Sequence, residues 1–337
     1  MLLAGDIGGT KTRLGIFSTG GNDAQPPQPL AEMTFENARY PDLETIVREF
    51  IGQVKAGKVE RACFGVAGPV LGDRVAITNL PWLIDGKKLA AALNIPSVGI
   101  INDLLATAHA LPFLPPEDLR TLNRGKPVPQ GNMAVIAAGT GLGEAFLIWD
   151  GRRYQSYASE GGHGDFAPNN GTETELLRHL SQRWGHVSYD RVCTGRGLPD
   201  IYRFLKENDP ADDLPGLAER VATAADATPL IVAAALAAEG RSLICVQALE
   251  IFVSTLGAEA GNMALRFMAT GGIYVAGGLP PRILPFFNQP AFMDAFRRKG
   301  RLSEMVAQIP VHVVLNQAAP LLGAAYYARK TSPEAAI

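Results

Sequence analysis

Short apolar runs and glycine- or proline-rich turns alternate along the first third of the chain. The runs predict strands at residues 2–7, 12–18, 30–35, 61–67 and 98–101, with a Pro/Gly-rich loop over 20–29. Apolar residues spaced three and four apart predict a helix over 42–55, whose inner face carries Leu43, Ile46, Val47 and Phe50. A second helix is predicted over 104–111 and ends at Pro112. Strands followed by helices indicate a mixed α/β sheet.

The plan of the first strands recurs once further along the chain. Residues 114–129 are rich in proline, and we expect them to be irregular and to mark a domain boundary. Strands predicted at 133–138 and 144–149 then flank a glycine-rich turn over 139–143. This repeat of a strand–turn–strand unit suggests two related halves. Beyond it, helices are predicted over 173–184, 190–207, 214–225, 230–268 (in two segments) and 321–329, and strands over 273–276 and 311–315.

Composition is that of a globular protein of about two domains. The chain has 337 residues and a formal net charge of −2, which argues against nucleic acid as a partner because phosphate-binding faces are usually basic. We interpret the basic cluster 297–299 as a solvated helix end. The three cysteines, Cys63, Cys193 and Cys245, lie far apart, which favours a reducing compartment and disfavours a zinc site.

We expect neither a membrane partner nor an export signal. The longest uncharged run, 305–328, is interrupted by prolines and polar residues. The N-terminus enters an apolar strand without a basic leader. These features predict a cytoplasmic protein.

A first glycine-containing turn carries residue types that suit phosphate binding. Asp6 lies at the end of a strand and precedes Gly8, Gly9 and Thr10. The acid can hold a magnesium ion through water, while backbone N–H groups and the threonine hydroxyl can close on phosphate oxygens. A Gly-Gly hairpin with Asp6 as a turn residue explains the same pattern, so both interpretations stay open.

A second turn has the same chemistry. Gly139, Thr140 and Gly141 lie between two predicted strands, although a tight hairpin again explains them. Two such turns, each at a strand end, together favour a nucleotide gripped at each end of its phosphate chain. The chain has no P-loop with a Ser or Thr for magnesium and no G-x-G-x-x-G that opens a helix after a strand, so these two nucleotide-binding classes are disfavoured.

Asn102 and Asp103 stand where a predicted strand becomes a helix. The helix N-terminus favours an ionised aspartate, and a carboxylate there can accept the proton of an attacking hydroxyl and position it for phosphoryl transfer. Asn and Asp are also preferred N-cap residues, so capping alone accounts for one of the two.

Loop 159–166 concentrates ionisable groups among glycines. Glu160, His163 and Asp165 can direct carboxylate and imidazole groups at the paired hydroxyls of a sugar, whereas a metal site with one histidine is poor zinc chemistry. An ordinary turn is the remaining alternative. Asp190 is a further candidate acceptor or a helix cap.

Two further groups complete the candidates. Gly277 and Gly278 follow a strand, and they either leave room for a flat base or form an ordinary turn. The remaining histidines show no ligand spacing and are interpreted as structural: His109, His179, His186 and His312.

The motifs together resemble the bacterial glucokinase family. They are D-I-G-G-T-K-T from residue 6, N-D-L from 102, A-A-G-T-G-L-G from 137, S-E-G-G-H-G-D-F-A-P from 159 and L-L-G-A-A from 321. The resemblance runs from about residue 3 to 328, and the motif at 159 is its most specific part. It implies a two-lobed α/β fold, the actin-like ATPase (ribonuclease H-like) fold with a cleft between the lobes. The small domain would comprise residues 1–112 and about 320–337, and the large domain residues 113–319.

The resemblance also implies an activity. It predicts transfer of phosphate from ATP, with Mg²⁺, to the 6-hydroxyl of glucose or a closely related hexose, giving glucose 6-phosphate for glycolysis, in a homodimer. Asp103 would be the catalytic base. Glucose would be bound by Asn102, Asp103, Glu160, His163 and Asp190. Magnesium and phosphates would be held by Asp6, Gly8, Gly9, Thr10, Gly139, Thr140 and Gly141, and adenosine by Gly277 and Gly278.

One position departs from the family pattern. Where relatives usually have S-x-E-R-V, residues 188–192 read S-Y-D-R-V, so Asp190 is one methylene shorter than the expected glutamate. This puts a contact near the anomeric end of the sugar in doubt.

Two rival functions fit the pattern less well. A sugar-responsive regulator would carry a DNA-binding module ahead of the first phosphate loop, and the strand at Leu2 leaves no room for one. A chaperone- or actin-like ATPase would not need Glu160 and His163 in such a loop. The cysteine-rich zinc motif of the repressor-type sugar kinases is absent from the sequence.

Overall fold

The computed structural model describes residues 1–20, 25–68, 70–77, 80–208 and 213–330. Parts of three sequence predictions lie outside the described residues: 21–24 of the 20–29 loop, Pro69 after the 61–67 strand, and 331–337 of the small domain. The chain forms two compact units. The first comprises Met1–Pro116, Ser156–Ala158 and residues from 316 onward, and the second comprises Glu117–Gln155 and Ser159–Leu315.

The predicted mixed α/β class is confirmed by the described elements. The strands are β1 (Leu2–Ile7), β2 (Lys11–Phe17), β3 (Pro29–Glu36), β4 (Arg61–Val66), β5 (Arg74–Ala76), β6 (Leu83–Asp85), β7 (Val98–Asn102), β8 (Leu119–Asn123), β9 (Met133–Ala138), β10 (Leu142–Trp149), β11 (Tyr154–Ser159), β12 (Gly272–Ala276) and β13 (Val311–Val314). The helices are α1 (Leu43–Gln53), α2 (Gly86–Leu93), α3 (Asp103–Ala110), α4 (Gly171–Arg183), α5 (Tyr189–Val192), α6 (Leu198–Asn208), α7 (Leu217–Thr223), α8 (Thr228–Leu236), α9 (Leu243–Arg266), α10 (Leu284–Phe287), α11 (Pro290–Arg297), α12 (Ser303–Ala307) and α13 (Ala319–Lys330).

The first unit is built on a sheet of order β3-β2-β1-β4-β7. β1 pairs antiparallel with β2 and parallel with β4, and β4 pairs parallel with β7. Because successive side chains of a strand point to opposite faces, β1 supplies two cores. Leu3 packs in a cluster with Phe50 of α1, whereas Leu2 and Ala4 pack with Leu321 of α13. The sheet therefore has helices on both faces.

The second unit repeats this strand order. Its sheet runs β11-β10-β9-β12-β13-β8, with β9 antiparallel to β10 and parallel to β12. The first five strands match the order of the first unit, which confirms the predicted repeat of the strand–turn–strand plan. In both sheets a glycine-rich turn follows the first strand of the repeat, at the carboxyl ends of parallel neighbours, where α/β proteins commonly bind ligands.

The structure corrects two sequence predictions for the second unit, one of an irregular segment and one of a helix. Residues 114–129 are not irregular throughout, because β8 lies at the sheet edge, antiparallel to β13; its exposed Arg120 and Thr121 hid the apolar pattern. The helix predicted over 190–207 is two helices, α5 and α6, with a turn between them that contains Gly195 and Gly197. Each glycine in a helix interior costs about 1 kcal/mol relative to alanine, which explains why the helix is interrupted there.

The basic cluster 297–299 is not a freely solvated helix end. Arg297, the last residue of α11, donates to Asn123 Oδ1 (3.1 Å). Lys299 Nζ donates to Ala258 O (2.8 Å) and to Asn262 Oδ1 (2.8 Å), and burial lowers the pKa of Lys299.

Among the described helices, α9 has the length and apolar composition of a membrane span. Of its most apolar window, 67% is buried inside the protein. Phe252 and Leu256 of α9 lie in the same apolar cluster as Phe292 of α11 and Ile201 of α6. These contacts are those of a core helix.

Candidate active site

The first glycine turn closes the β1–β2 hairpin. Gly8 donates its N–H to Lys11 O (3.0 Å), and Thr10 O accepts the N–H of Asn37 (2.9 Å). Asp6 lies one residue from the end of β1, with Arg13 opposite it on β2. The hairpin interpretation and the phosphate interpretation are thus compatible: residues 8–10 form a tight turn, and Gly8, Gly9 and Thr10 are not buried.

Asn37 supports this turn, although no sequence motif identified it. Its side chain is 1% exposed. Its Oδ1 accepts from Thr12 Oγ1 (2.8 Å), and its Nδ2 donates to Gly8 O (2.8 Å). One buried amide therefore connects the turn to β2. A buried asparagine behind a glycine turn is visible only once the strands are paired.

Asn102 and Asp103 divide their roles in the structure. Asn102 is the N-cap of α3: its Oδ1 accepts the N–H groups of Leu104 (2.9 Å) and Leu105 (3.3 Å), and its Nδ2 donates to Gly68 O (3.2 Å). Asp103 is the first residue of the helix, and its Oδ1 accepts the N–H of Leu104 (2.8 Å). Capping therefore accounts for Asn102 and leaves Asp103 without that explanation.

The carboxyl groups of Asp6 and Asp103 both have raised pKa values. Burial, and then the negative charge of Asp103, raise the pKa of Asp6 to about 7, and Arg13 opposes the shift. Burial also raises the pKa of Asp103, against the backbone N–H groups that hydrogen-bond to it. The sequence argument considered the helix N-terminus, which favours the ionised form of Asp103, whereas desolvation of the buried carboxyl acts in the opposite direction.

The donor set around Asp6 fits a hydrated magnesium ion. Mg²⁺ prefers oxygen ligands and keeps several waters, so it needs only one or two carboxylates beside substrate phosphates. The described residues contain no group of three His, Cys, Asp or Glu side chains arranged to hold a metal ion. The chemistry of Asp6, with the negative charge of Asp103 near it, therefore suits an ion that is held partly by substrate phosphates, rather than a closed metal cage.

The second glycine turn closes the β9–β10 hairpin. Gly139 donates to Gly141 O (3.0 Å), and Gly139 O accepts the N–H of Gly195 (2.9 Å). β10 begins at Leu142, two residues earlier than predicted. The turn of Gly277 and Gly278 lies beside it, since β12 is the parallel neighbour of β9. Gly277 has φ +99°, and a Cβ there would overlap Ala138 O, so the close approach of the two turns requires glycine.

Loop 159–166 presents its predicted groups to solvent. The side chains of Glu160 and His163 are 81% and 62% exposed, and Glu160 Oε2 lies 3.9 Å from His163 Nε2. His163 N–H donates to Glu160 O (3.0 Å) in a 3₁₀ turn over Gly161–His163. Asp165 does not join them, because it bonds to His186 Nε2 (2.8 Å).

Glu144 lies beneath this loop and was missed by the sequence predictions. It is 1% exposed on β10, and a Cβ at Gly161 would overlap its Oε2. Burial, and then the negative charge of Glu259, raise the pKa of Glu144 to about 8, and Arg266 opposes the shift. Glu144 follows Leu142 by two residues, so the two side chains point to the same, buried face of the strand. This spacing could have identified Glu144 as a buried acid.

Asp190 adjoins both predicted sites of the second unit. It lines a pocket of about 310 Å³ together with His163, Trp184, Gly185, His186, Ser188 and Arg191. Its Oδ1 accepts the N–H of Leu142 (2.8 Å), directly after Thr140 and Gly141.

His186 also lines this pocket and bonds to Asp165. The remaining histidines have neighbours elsewhere. His109 bonds to Ser156 Oγ (2.9 Å), His179 Nδ1 lies 3.5 Å from Glu207 Oε2, and His312 bonds to Thr121 Oγ1 (3.0 Å).

Each unit thus gathers part of the predicted site. The first contains Asp6, residues 8–10, Asn102 and Asp103; the second contains residues 139–141, Glu160, His163, Asp190 and residues 277–278.

Comparison with known proteins gives one consistent result. The protein-family model for glucokinase matches residues 3–331. A glucokinase of Nostoc sp. is 40% identical over 98% of this chain and 99% of its own length. The crystal structure of a glucokinase from an Antarctic psychrotroph has a TM-score of 0.84 at 28% identity, covering 98% of this chain and 99% of that one. A ROK family glucokinase from Streptomyces griseus, solved with glucose and AMPPNP, has a TM-score of 0.64 at 20% identity, with coverage of 98% and 99%. The predicted actin-like ATPase fold is confirmed by these likenesses.

Proposed function

The chain belongs to the glucokinase family, and on this basis we propose that it transfers the γ-phosphoryl group of ATP to the 6-hydroxyl of glucose. The observation that carries the proposal is the match over nearly the whole length of the chain and of its relatives. ATP as the donor is further supported by the related enzyme solved with glucose and AMPPNP.

Asp103 acts as the general base in this proposal. Its carboxyl lies at the first residue of α3, and the N-cap role belongs to Asn102 instead. The raised pKa of Asp103 brings its proton affinity closer to neutral pH, where a general base is most effective. Since the transition state of phosphoryl transfer is loose, the main task of Asp103 is to orient the hydroxyl and accept its proton.

The two glycine turns, residues 8–10 and 139–141, bind the phosphates of ATP through backbone N–H groups other than those of Gly8 and Gly139, which donate within the turns. Asp6 would hold Mg²⁺ through water, and the ion would supply positive charge to the phosphate oxygens. An adenosine site beside the second phosphate turn is supported by Gly278, where a Cβ would have no neighbour within 4 Å, so that space is open for a base.

The sugar hydroxyls are bound by polar side chains that remain available. Glu160 and His163 are largely exposed at the surface of their unit, and the Nδ2 of Asn102 keeps a second N–H beside the one given to Gly68. A site that hydrogen-bonds each hydroxyl discriminates strongly against analogues that lack one, by roughly 10⁴-fold.

We extend the proposal to the setting of the enzyme. Glucose 6-phosphate enters glycolysis, and the protein works in the cytoplasm, which is supported by its three buried, unpaired cysteines, as expected in a reducing compartment. The homodimer rests on the family resemblance, and light scattering of the purified protein tests it.

The experiment that tests the proposed function is a coupled assay of ADP release with Mg-ATP. The sugars are glucose, mannose, fructose and N-acetylglucosamine, with a sugar-free control. Glucose-dependent ADP release, with a product that glucose-6-phosphate dehydrogenase oxidises, is the expected result. Sugar-independent hydrolysis would favour an ATPase, and sugar binding without turnover would favour a regulator.

A further inference from the structure

Asp190 stands where the family resemblance implies a sugar ligand, yet its carboxylate binds the backbone of the phosphate turn. Asp190 Oδ1 accepts the N–H of Leu142 at 2.8 Å. The same oxygen lies 3.3 Å from the position that a Cβ of Gly141 would occupy. The side chain therefore reaches the last residues of turn 139–141.

The chain that follows Asp190 holds the other end of the same turn. Thr194 Oγ1 donates to Asp190 O (2.8 Å), and Gly195 N–H donates to Gly139 O (2.9 Å). Thr228 Oγ1 in turn donates to Gly195 O (2.6 Å). Residues 190–195 thus form a support that contacts the turn at both its start and its end.

The length of the side chain matters for this contact. A glutamate at the same Cα would carry its carboxylate one methylene further from the backbone, so it could not make this contact with the same side-chain geometry. The aspartate fits the distance, and because it also lines the pocket beside His163, it lies between the sugar loop and the phosphate turn.

We propose that Asp190 is a positioning residue for the nucleotide: its carboxylate fixes turn 139–141 through the Leu142 N–H, so that the turn is ordered before ATP binds. The inference rests on the proposed function, since it takes the turn as a phosphate site. Preorganising the turn lowers the cost of ordering it on binding. Loss of the contact therefore weakens nucleotide binding whether or not sugar is present.

Two variants of Asp190 with similar shapes separate the effect of losing the hydrogen-bond acceptor from the effect of changing the side-chain volume. Asp190→Asn keeps an oxygen for the Leu142 N–H, whereas Asp190→Leu has the same number of side-chain heavy atoms and no acceptor. Asp190→Ala replaces the leucine variant if that one does not fold. Asp150→Ala is the matched control, because it removes an aspartate that accepts the backbone N–H groups of Arg152 and Arg153 in a distant turn.

The measurement is the dissociation constant of Mg-AMPPNP without sugar, followed by KM for ATP and for glucose. We expect Asp190→Leu to weaken AMPPNP binding and raise KM for ATP by about ten-fold, the scale of one hydrogen bond. For Asp190→Asn and Asp150→Ala we expect the dissociation constant of Mg-AMPPNP and KM for ATP to stay within about two- to three-fold of the wild-type values.

Two results would overturn the proposal. One is unchanged AMPPNP binding in Asp190→Leu. The other is a rise confined to KM for glucose in both Asp190 variants, which would make Asp190 a sugar ligand. Failure of the wild-type protein to bind AMPPNP would instead refute the proposed function, and with it the premise of this inference.

Discussion

Glu144 makes the stability of the second unit depend on pH in a way that a single substitution should remove. Its carboxyl is 1% exposed, and its Oε1 has no hydrogen-bond partner among the described residues. Its buried neighbour Glu259 bonds to Arg266 and to Asn262 Nδ2 (2.9 Å). Arg266 neutralises only one of the two buried acids, Glu144 and Glu259. A proton on Glu144 therefore removes the remaining negative charge.

The direction of the effect follows from the raised pKa. Glu144 changes from an ordinary value of 4.5 to about 8 in the folded protein, so the folded state binds the proton more tightly than the unfolded state does. The stabilising contribution is complete below about pH 4.5 and is lost as pH rises towards 8. Within that window each pH unit lowers the free energy of unfolding by about 1.4 kcal/mol, so the loss between pH 5 and 7.5 is about 3 kcal/mol.

Glu144→Gln should abolish this slope. Glutamine keeps the shape of the protonated acid and can donate to Glu259, but it does not titrate. We expect the difference in free energy of unfolding, variant minus wild type, to grow in favour of the variant by about 3 kcal/mol from pH 5 to 7.5. Urea unfolding followed by tryptophan fluorescence across this range measures it.

The control is Glu219→Gln on the exposed surface of α7, for which we expect no comparable pH-dependent difference. A difference for Glu144→Gln that is constant with pH would refute the reasoning. So would one that favours the wild type as pH rises, since either means that the carboxylate is stable in its buried position.

Two further substitutions test the supports of the site. Asn37→Ala leaves the buried hydroxyl of Thr12 without its acceptor and releases Gly8 O, so we expect a loss of about 1–3 kcal/mol in unfolding free energy and a higher KM for ATP; an unchanged KM would contradict a role in the phosphate turn. Gly161→Ala would drive a methyl group into the Glu144 carboxyl, and we expect KM for glucose to rise several-fold with KM for ATP little changed. Equal changes in both constants would indicate a general loss of structure instead.

The strands and turns that carry the phosphate groups could be predicted because their signals are local. β1 and β9 are each an apolar run followed by glycines, and both were predicted with the bounds observed. The buried face of α1 followed from three- and four-residue spacing. The edge strand β8 was not predicted, because two of its five residues are exposed and prolines lie on either side of it.

The site was predicted only as far as its motifs extend. The exposed pair Glu160 and His163 lies in one glycine-rich loop, so sequence alone identified both. Asn37, directly after β3, and Glu144, on β10, contact such loops from elsewhere in the chain, and only the pairing of strands brings them there. The orientation of Asp190 depends on the position of Leu142, 48 residues away, which no local pattern encodes.

The assignment of Asp103 as the base is the central claim, and Asp103→Asn tests it most directly. Turnover with saturating glucose and Mg-ATP is compared with glucose affinity measured by calorimetry, and Asp294→Asn, an exposed position on α11, serves as the matched control. We predict that Asp103→Asn lowers turnover by about 10²- to 10⁴-fold and leaves glucose affinity close to that of wild type, because the amide keeps the shape of the acid but cannot accept the proton. Turnover of Asp103→Asn near the wild-type rate would contradict the account.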